Sequence, residues 1–139
     1  MASTPKARFA ALQTAAAAKS GTHTITGIAE SRASLVTAVL LEKRTGPSLV
    51  LTPSPGRAAR LGEDFAFFGS KRVYVYPETE SRFFHFDAKS HQILEERLQA
   101  LTAIVRGEDC VVLASAAAAL ISFVYMLTGK WKKDTILQR

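Results

Sequence analysis

Apolar positions along this chain follow two patterns: short apolar or β-branched runs, and longer stretches in which apolar residues recur every three or four positions. The short runs are typical of strands, and a parallel strand that is covered on both faces is apolar throughout. The longer stretches predict amphipathic helices. The four predicted strands are residues 22–26, 48–52, 73–76 and 110–114.

Helices are predicted between the strands and after the last one, and local chemistry marks several of their ends. Ser54 and Ser115 are expected to cap the helices that follow them, with Pro55 at a first helical position. Gly69 and Gly107 are expected to end two helices. The predicted apolar faces consist of Leu35, Val36, Val39 and Leu40; of Ala58, Leu61, Phe65 and Phe68; and of Leu94, Leu98, Leu101 and Val105.

The alternation of strands and helices predicts an α/β fold. We expect a mostly parallel, doubly wound sheet of about four strands, with flanking helices and right-handed crossovers. Ligands of such sheets bind at the carboxyl ends of the strands. The loops that follow Thr26, Thr52, Tyr76 and Ala114 are therefore the places to look for a site.

Length and composition indicate one globular domain. The chain has 139 residues, of which 47% are hydrophobic and 22% charged, values that are ordinary for a folded domain. We expect an N-terminal helix at 1–20, the α/β domain at 21–127 and a basic tail at 128–139. Cys110 is the single cysteine, so no internal disulfide forms, and a reducing cytoplasmic setting fits best.

Two segments have an alternative interpretation. Residues 1–20 are rich in Ala and lack acidic residues, as transit peptides do, but also have helical spacing. Residues 110–127 lack charge over a length that just suffices for a membrane span. We favour a strand and a helix divided at Ser115, and hence no membrane partner.

The charge balance is basic, and its excess lies at the two ends. There are 18 Lys and Arg against 12 Asp and Glu, a formal net charge of +6. Residues 1–20 contain Lys6, Arg8 and Lys19 without an acid, and the tail at 128–139 is basic. Such ends can contact DNA phosphates or an acidic lipid surface, but they do not define a specific nucleic-acid groove.

The turn before the first long helix is where a nucleoside triphosphatase would hold phosphate. A phosphate loop, G-x-x-x-x-G-K-[ST], needs glycines for close backbone approach and a lysine for charge. Here Thr24 and Ala29 stand at the glycine positions, Glu30 stands at the lysine position, and Gly27 lies between them. A carboxylate repels phosphate, so no nucleotide or other cofactor is expected. Ser31, at the hydroxyl position, is expected to cap the helix instead.

The loop after the third predicted strand carries several aromatic residues among charges. These side chains either fold back over the sheet edge or form a partner-binding patch. The candidate residues are Tyr76, Glu80, Phe83, Phe84 and Phe86.

Neither the histidines nor the cysteine of this chain predicts a chemical site. His23, His85 and His91 are too dispersed to predict a metal site. Cys110 lies in an apolar strand, where a thiol is usually inert packing. We therefore assign no metal ligand and no catalytic residue.

Several short motifs occur in the same order as in one known family. They are Thr26-Gly27 before a helix; Leu49-Val50-Leu51-Thr52-Pro53 followed by Ala58, Leu61, Glu63-Asp64 and Phe67-Phe68; Val75-Tyr76-Pro77 with Glu80; Lys89-Ser90-His91, Ile93, Arg97-Leu98 and Leu101; and Val111-Val112-Leu113-Ala114-Ser115 with Leu120. Over residues 22–120 the chain resembles the amino-terminal region of bacterial transcription-repair coupling factors, the Mfd proteins. That region is itself similar to the first domain of the excision-repair helicase UvrB.

The resemblance implies a partial, P-loop NTPase-like domain with a non-catalytic role. Family members displace stalled RNA polymerase with a carboxy-terminal, ATP-driven DNA translocase. They recruit nucleotide-excision repair through the UvrB-like module, whose phosphate loop is degenerate. The UvrA-contacting domain follows the matched region in the family, and residues 125–139 do not resemble it. The implied partners are other domains of the coupling factor, excision-repair proteins or DNA.

Two main functions from different classes follow from these observations, with a further, membrane-tethered alternative. The first is a non-catalytic scaffold module of a coupling factor. The alternative is an independent nucleotide-binding or hydrolytic α/β protein that uses the loops after Thr26 and Ala114. A membrane-tethered protein anchored by residues 110–127 is a third. Open sheet edges also make a homodimer an expected form.

Overall fold

Three strands and four helices form the framework, in addition to a short helical segment near the amino end of the described residues. The computed structural model of the protein describes residues 10–14, 17, 20–78 and 88–127. Of the predicted helix at 1–20, residues 10–14 are helical. The strands are β1 (Ser48–Thr52), β2 (Arg72–Tyr76) and β3 (Cys110–Ser115), and the helices are α1 (Glu30–Glu42), α2 (Pro55–Phe68), α3 (Ala88–Val105) and α4 (Ala116–Leu127).

The three strands form one parallel sheet in the order β1-β3-β2. Thr52 lies opposite Ser115, and Tyr76 lies opposite Ala114, so all three carboxyl ends meet at one edge. The predicted α/β class is confirmed. The predicted sheet of four strands, of the P-loop type, is not what the described residues form.

Helices cover both faces of the sheet. Helix α2 contacts all three strands on one face, and α1 packs against α2. Helix α3 packs on β2 and β3, and α4 packs on β3 and β1. From β1 the chain crosses to β2 at the other edge of the sheet, and from β2 it returns to β3 in the centre. The two crossovers run in opposite directions along the sheet, so crossovers of the same hand place α2 and α3 on opposite faces.

Strand β3 is the core of the molecule, and all six of its residues are buried. Val111 and Leu113 point toward α2, where they join Ala58, Leu61 and Phe65. Cys110, Val112 and Ala114, which alternate with them along the strand, point to the other face. There the buried cluster consists of Tyr76, Ala100, Ala103, Cys110, Val112, Ala114 and Ala118.

The predicted strand at residues 22–26 is wrong. Residues 21–27 form no strand, and their side chains are exposed. The run is β-branched, but strand propensity is weak without a paired neighbour and a buried face. No described strand lies beside it, so the chain enters α1 from an irregular segment.

The predicted buried face of α3 is also wrong. Val105 is 86% exposed and Leu94 is 45% exposed, whereas Ala100 and Ala103 are fully buried. Leu101 alone of the predicted face packs against the core. Small side chains let the helix backbone lie close to β2 and β3, and this close packing decides the orientation of the helix.

The apolar face predicted for α1 is only partly covered. This helix contacts α2, and Ala38 and Leu41 are the residues that pack against the core. Leu35 is 45% exposed, whereas the polar Ser34 is buried. Most contacts of α1 are with one helix, so less of its apolar surface is removed from water than in a helix that packs across the sheet.

The predicted start of α2 and the predicted end of α3 are both confirmed. Ser54 caps α2 by accepting a hydrogen bond from the backbone N–H of Arg57 at 3.3 Å. Gly107 ends α3 with a φ of +69°, and its N–H donates to the carbonyl of Ile104 at 3.0 Å. The N–H of Glu108 reaches back to the carbonyl of Ala103, which completes a Schellman motif.

The apolar stretch at 110–127 divides at Ser115 as predicted, into β3 and α4. Ser115 caps α4, because its hydroxyl accepts from the backbone N–H of Ala118 at 3.0 Å. In the described part of the chain, no helix has both the length and the apolar character that crossing a bilayer requires.

Candidate functional site

The five phosphate-loop positions lie in the irregular segment and the first turn of α1. Thr24 and Gly27 are exposed, Ala29 is the N-cap residue, and Glu30 begins the helix. Ala29 has no side chain that can cap, and Ser31 lies inside the helix, so the predicted cap at Ser31 is wrong. With no strand before it, the turn is not held against a sheet as a phosphate loop is.

Glu30 forms an ion pair with Arg57, which lies in the first turn of α2. The carboxylate sits at the amino end of α1, where the helix dipole favours negative charge. The Glu30 side chain is 80% exposed, so the pair adds little to stability. Its consequence is electrostatic: the place where a phosphate would meet a helix N-terminus already holds an anion.

A groove between α1 and α2 lies beside this ion pair. Its volume is about 390 Å³, and it is open to solvent. Its walls carry three carboxylates and two guanidinium groups, so the groove has no excess of positive charge that would attract a phosphate. The lining residues are Glu30, Ser31, Ser34, Arg57, Arg60, Leu61, Glu63 and Asp64.

The carboxyl edge of the sheet is the second candidate site. The helices after β1 and β3 pack on opposite faces, which places the topological switch point between Thr52 and Ser115. Thr52 Oγ1 donates its single proton to the carbonyl oxygen of Ser54 at 2.8 Å, and the carbonyl oxygen of Ala114 lies 3.3 Å from the same hydroxyl as a weaker, shared acceptor. Ser115 Oγ donates to a carboxylate oxygen of Glu78. The hydroxyls at the switch point therefore bond to the protein itself.

A second polar group lies beside the first and joins β2, α3 and α4. Arg97 donates from Nη1 to the carbonyl of Pro77 at 2.9 Å and from Nη2 to Ser122 Oγ at 3.0 Å. Ser122 Oγ donates to the carbonyl of Ala118 at 2.9 Å. Its single proton is used there, so the Tyr76 hydroxyl, 2.7 Å away, is the donor of their shared bond.

These contacts close the carboxyl edge rather than prepare it for chemistry. Thr52 is 4% exposed and Ser115 is 1% exposed, so neither hydroxyl is open to a substrate. Ser115 is hydrogen-bonded to Glu78, but a nucleophile needs access as well as a base. The arrangement holds Glu78 against the start of α4 and fixes α3 and α4 to the sheet.

Sequence reasoning missed this polar network. An arginine on a helix is usually solvated, but Arg97 is half-buried and its guanidinium lies over the ring of Tyr76. The available signal was its spacing, because Arg97 lies three residues before Ala100 and six before Ala103, on the face of small residues. Pairing of Ser122 with Tyr76 had no sequence signal, since the two are 46 residues apart.

The residues of the predicted partner patch fall in two groups. Tyr76 is only 6% exposed and belongs to the core, with its hydroxyl bonded to Ser122. The others, Glu80, Phe83, Phe84 and Phe86, lie outside the described residues.

The titratable residues singled out by type are not brought together. His23 and His91 are exposed, and His85 lies outside the described residues. Cys110 is fully buried; burial, followed by the nearby charges of Glu108 and Asp109, raises the pKa of its thiol. Within the described ranges, no three His, Cys, Asp or Glu side chains are grouped so that they could hold a metal ion.

Comparison with known proteins identified no relative of this chain. No protein-family model matches the chain, no curated protein matches it, and no solved structure matches it.

Proposed function

We propose that this chain is a non-catalytic, UvrB-like module of a transcription-repair coupling factor, which holds partner proteins or domains and does not hydrolyse nucleotide. The ordered motifs between residues 22 and 120 support the family. The site geometry supports the non-catalytic role. The proposed partners are other domains of the same coupling factor or excision-repair proteins.

The observation that carries the non-catalytic role is the ion pair of Glu30 with Arg57. A phosphate at the start of α1 would meet the Glu30 carboxylate instead of a lysine, and it would compete with that carboxylate for Arg57. At a separation of about 4 Å, two like charges repel by about 1 kcal/mol in water, and this screened value applies to the largely exposed Glu30. This cost opposes binding of a triphosphate at this turn.

The closed carboxyl edge supports the same conclusion independently. The alternative function, nucleotide binding or hydrolysis, needs the loops after the strands to offer free donors. The hydroxyls of Thr52 and Ser115 are buried and bonded to the protein. The geometry thus favours rigidity at the edge where this fold class usually does its chemistry.

Exposed apolar residues on the outer surfaces of the helices favour a docking role. On α3, Leu94, Leu98 and Val105 lie on one side of the helix by their spacing and are 45%, 36% and 86% exposed, so they form a continuous apolar stripe. Apolar surface of this kind on a folded domain is typical of contact with another protein.

Calorimetric titration with magnesium and ATP tests the non-catalytic role. We expect no binding to the wild type. Glu30→Lys restores a lysine at the motif position, and Glu42→Lys makes the same charge change at the other end of α1 as the matched control. Micromolar binding by the wild type would overturn the proposal in favour of the nucleotide-binding alternative.

The docking role needs a separate measurement. We would immobilise the chain and pass over it purified UvrA, UvrB and the polymerase-displacing remainder of a bacterial coupling factor. Saturable binding of at least one, independent of ATP, is expected. Failure of all three to bind would remove the coupling-factor assignment, even if ATP is also not bound.

A further inference from the structure

Strand β1 is an outer strand of the sheet, and it is apolar in the middle. It pairs with β3 on one side, and among the described residues no strand pairs with its other side. Leu49 is 57% exposed and Leu51 is 55% exposed. An outer strand with unpaired backbone groups and exposed apolar side chains is a template for another strand.

The opposite edge of the sheet differs from β1. Strand β2 begins with the exposed Arg72, whose guanidinium contacts the hydroxyl of Tyr74. Charges on outer strands are a common protection against edge-to-edge pairing. Strand β1 has neither a charged residue nor a proline within its bounds.

The sequence of β1 matches itself when it is reversed. Ser48-Leu49-Val50-Leu51-Thr52 has a leucine on each side of Val50 and a small hydroxyl residue at each end. In a dimer with a twofold axis, each position meets its symmetry mate from the same patch. An axis through Val50 would pair Leu49 with Leu51 of the second copy and Ser48 with Thr52.

We propose that β1 is a dimerisation edge, and that a second copy of this chain pairs with it antiparallel about an axis at Val50. The result is a continuous sheet of six strands. Leu49 and Leu51 lie on the face opposite Val50, which packs in the cluster beneath α2. The four leucines of the two copies would then adjoin one another beside the two α4 helices and lose exposure to water.

A second copy fits this edge better than an unrelated strand does. Any extended peptide can satisfy the backbone groups of an outer strand, but it gains nothing from the reversed match of β1. Only an isologous pair uses the same leucine positions twice. The occupant is therefore identified by the pattern of β1 itself, independently of the proposed coupling-factor role.

Sedimentation of the full chain tests whether the dimer exists. We expect a concentration-dependent dimer for the wild type. For Leu49→Lys and Leu51→Lys, the dissociation constant of the dimer should be at least roughly tenfold higher. Leu35→Lys, which adds the same charge at an exposed apolar position on α1, should leave the dimer unchanged. A wild type that stays monomeric from micromolar to several hundred micromolar would overturn the proposal.

Cysteine cross-linking tests the register. Leu49→Cys and Leu51→Cys should form a disulfide-linked dimer when the two variants are mixed and oxidised, because the two positions face each other. Each variant alone should cross-link poorly, since like positions would be separated by more than about 7 Å. Efficient self-linking of Leu49→Cys, or a dimer that cross-links in neither case, would exclude the proposed pairing.

Discussion

The guanidinium carbon of Arg97 lies 4.3 Å from the centroid of the Tyr76 ring, and both side chains bond to the hydroxyl of Ser122. A cation over an aromatic face is stabilised by the ring quadrupole, most strongly where water is excluded. The arrangement links β2, α3 and α4 at the carboxyl edge. Arg97 therefore has a structural role.

Replacement of Arg97 is expected to weaken the fold. Arg97→Met keeps the apolar stem but leaves the Pro77 carbonyl without its donor and removes the cation from the ring. We expect the free energy of unfolding to fall by about 1–3 kcal/mol in urea denaturation. Arg106→Met, at an exposed position, should change it by less than about 0.5 kcal/mol. Equal effects of the two variants would contradict the role of the network.

The two glycines of α2 provide a matched test of packing against the sheet. A Cβ at Gly62 would lie 3.1 Å from Val75 Cγ2, whereas a Cβ at Gly56 would meet no atom within 4 Å. Gly56→Ala should stabilise by about 0.5–1 kcal/mol through helix propensity. Gly62→Ala gains the same propensity but crowds the core, so we expect it to be less stable than Gly56→Ala by about 1–3 kcal/mol. Thermal or urea unfolding of both variants checks this difference.

Lys71 holds the amino edge of the sheet together. Its ammonium donates to Asp109 Oδ1 at 2.7 Å and to the carbonyl of Arg44, and its side chain is only 9% exposed. Lys71→Met should lower the free energy of unfolding by about 1–3 kcal/mol, because a carbonyl and a carboxylate lose their donor. Lys43→Met, on the exposed end of α1, is the control. Asp109→Asn should cost less than Lys71→Met, because Asp109 is 57% exposed.

The buried Cys110 thiol should react slowly and should make stability depend on alkaline pH. Burial raises the pKa of this thiol in the folded state. The unfolded chain therefore releases the proton first, and the free energy of unfolding should fall as pH rises through the ordinary thiol range near 8.5. Cys110→Ala should show a smaller fall than the wild type over the same range. Rapid labelling of native Cys110 by a thiol reagent would contradict its burial.

Local chemistry alone predicted β1, α2, β3 and the division at Ser115. Ser54 with Pro55 starts α2, and the hydroxyl of Ser115 caps α4, because a cap needs only atoms that are within a few residues. Continuous apolar runs predicted the buried strands for the same reason. The mismatch with the phosphate-loop motif was also visible in the sequence, since Glu30 stands at the lysine position whatever the fold.

Tertiary structure decided which patterns were used. Residues 22–26 have strand composition but no described partner strand, so they stay irregular. The face of α3 is set by Ala100 and Ala103, which allow close packing on the sheet, and not by its larger leucines. The strand order β1-β3-β2 and the contact of Tyr76 with Ser122 depend on residues far apart in the chain. Such contacts form only when the whole chain is packed, and for this reason the sequence determined most elements while the packed structure determined their pairing, their faces and the closed carboxyl edge.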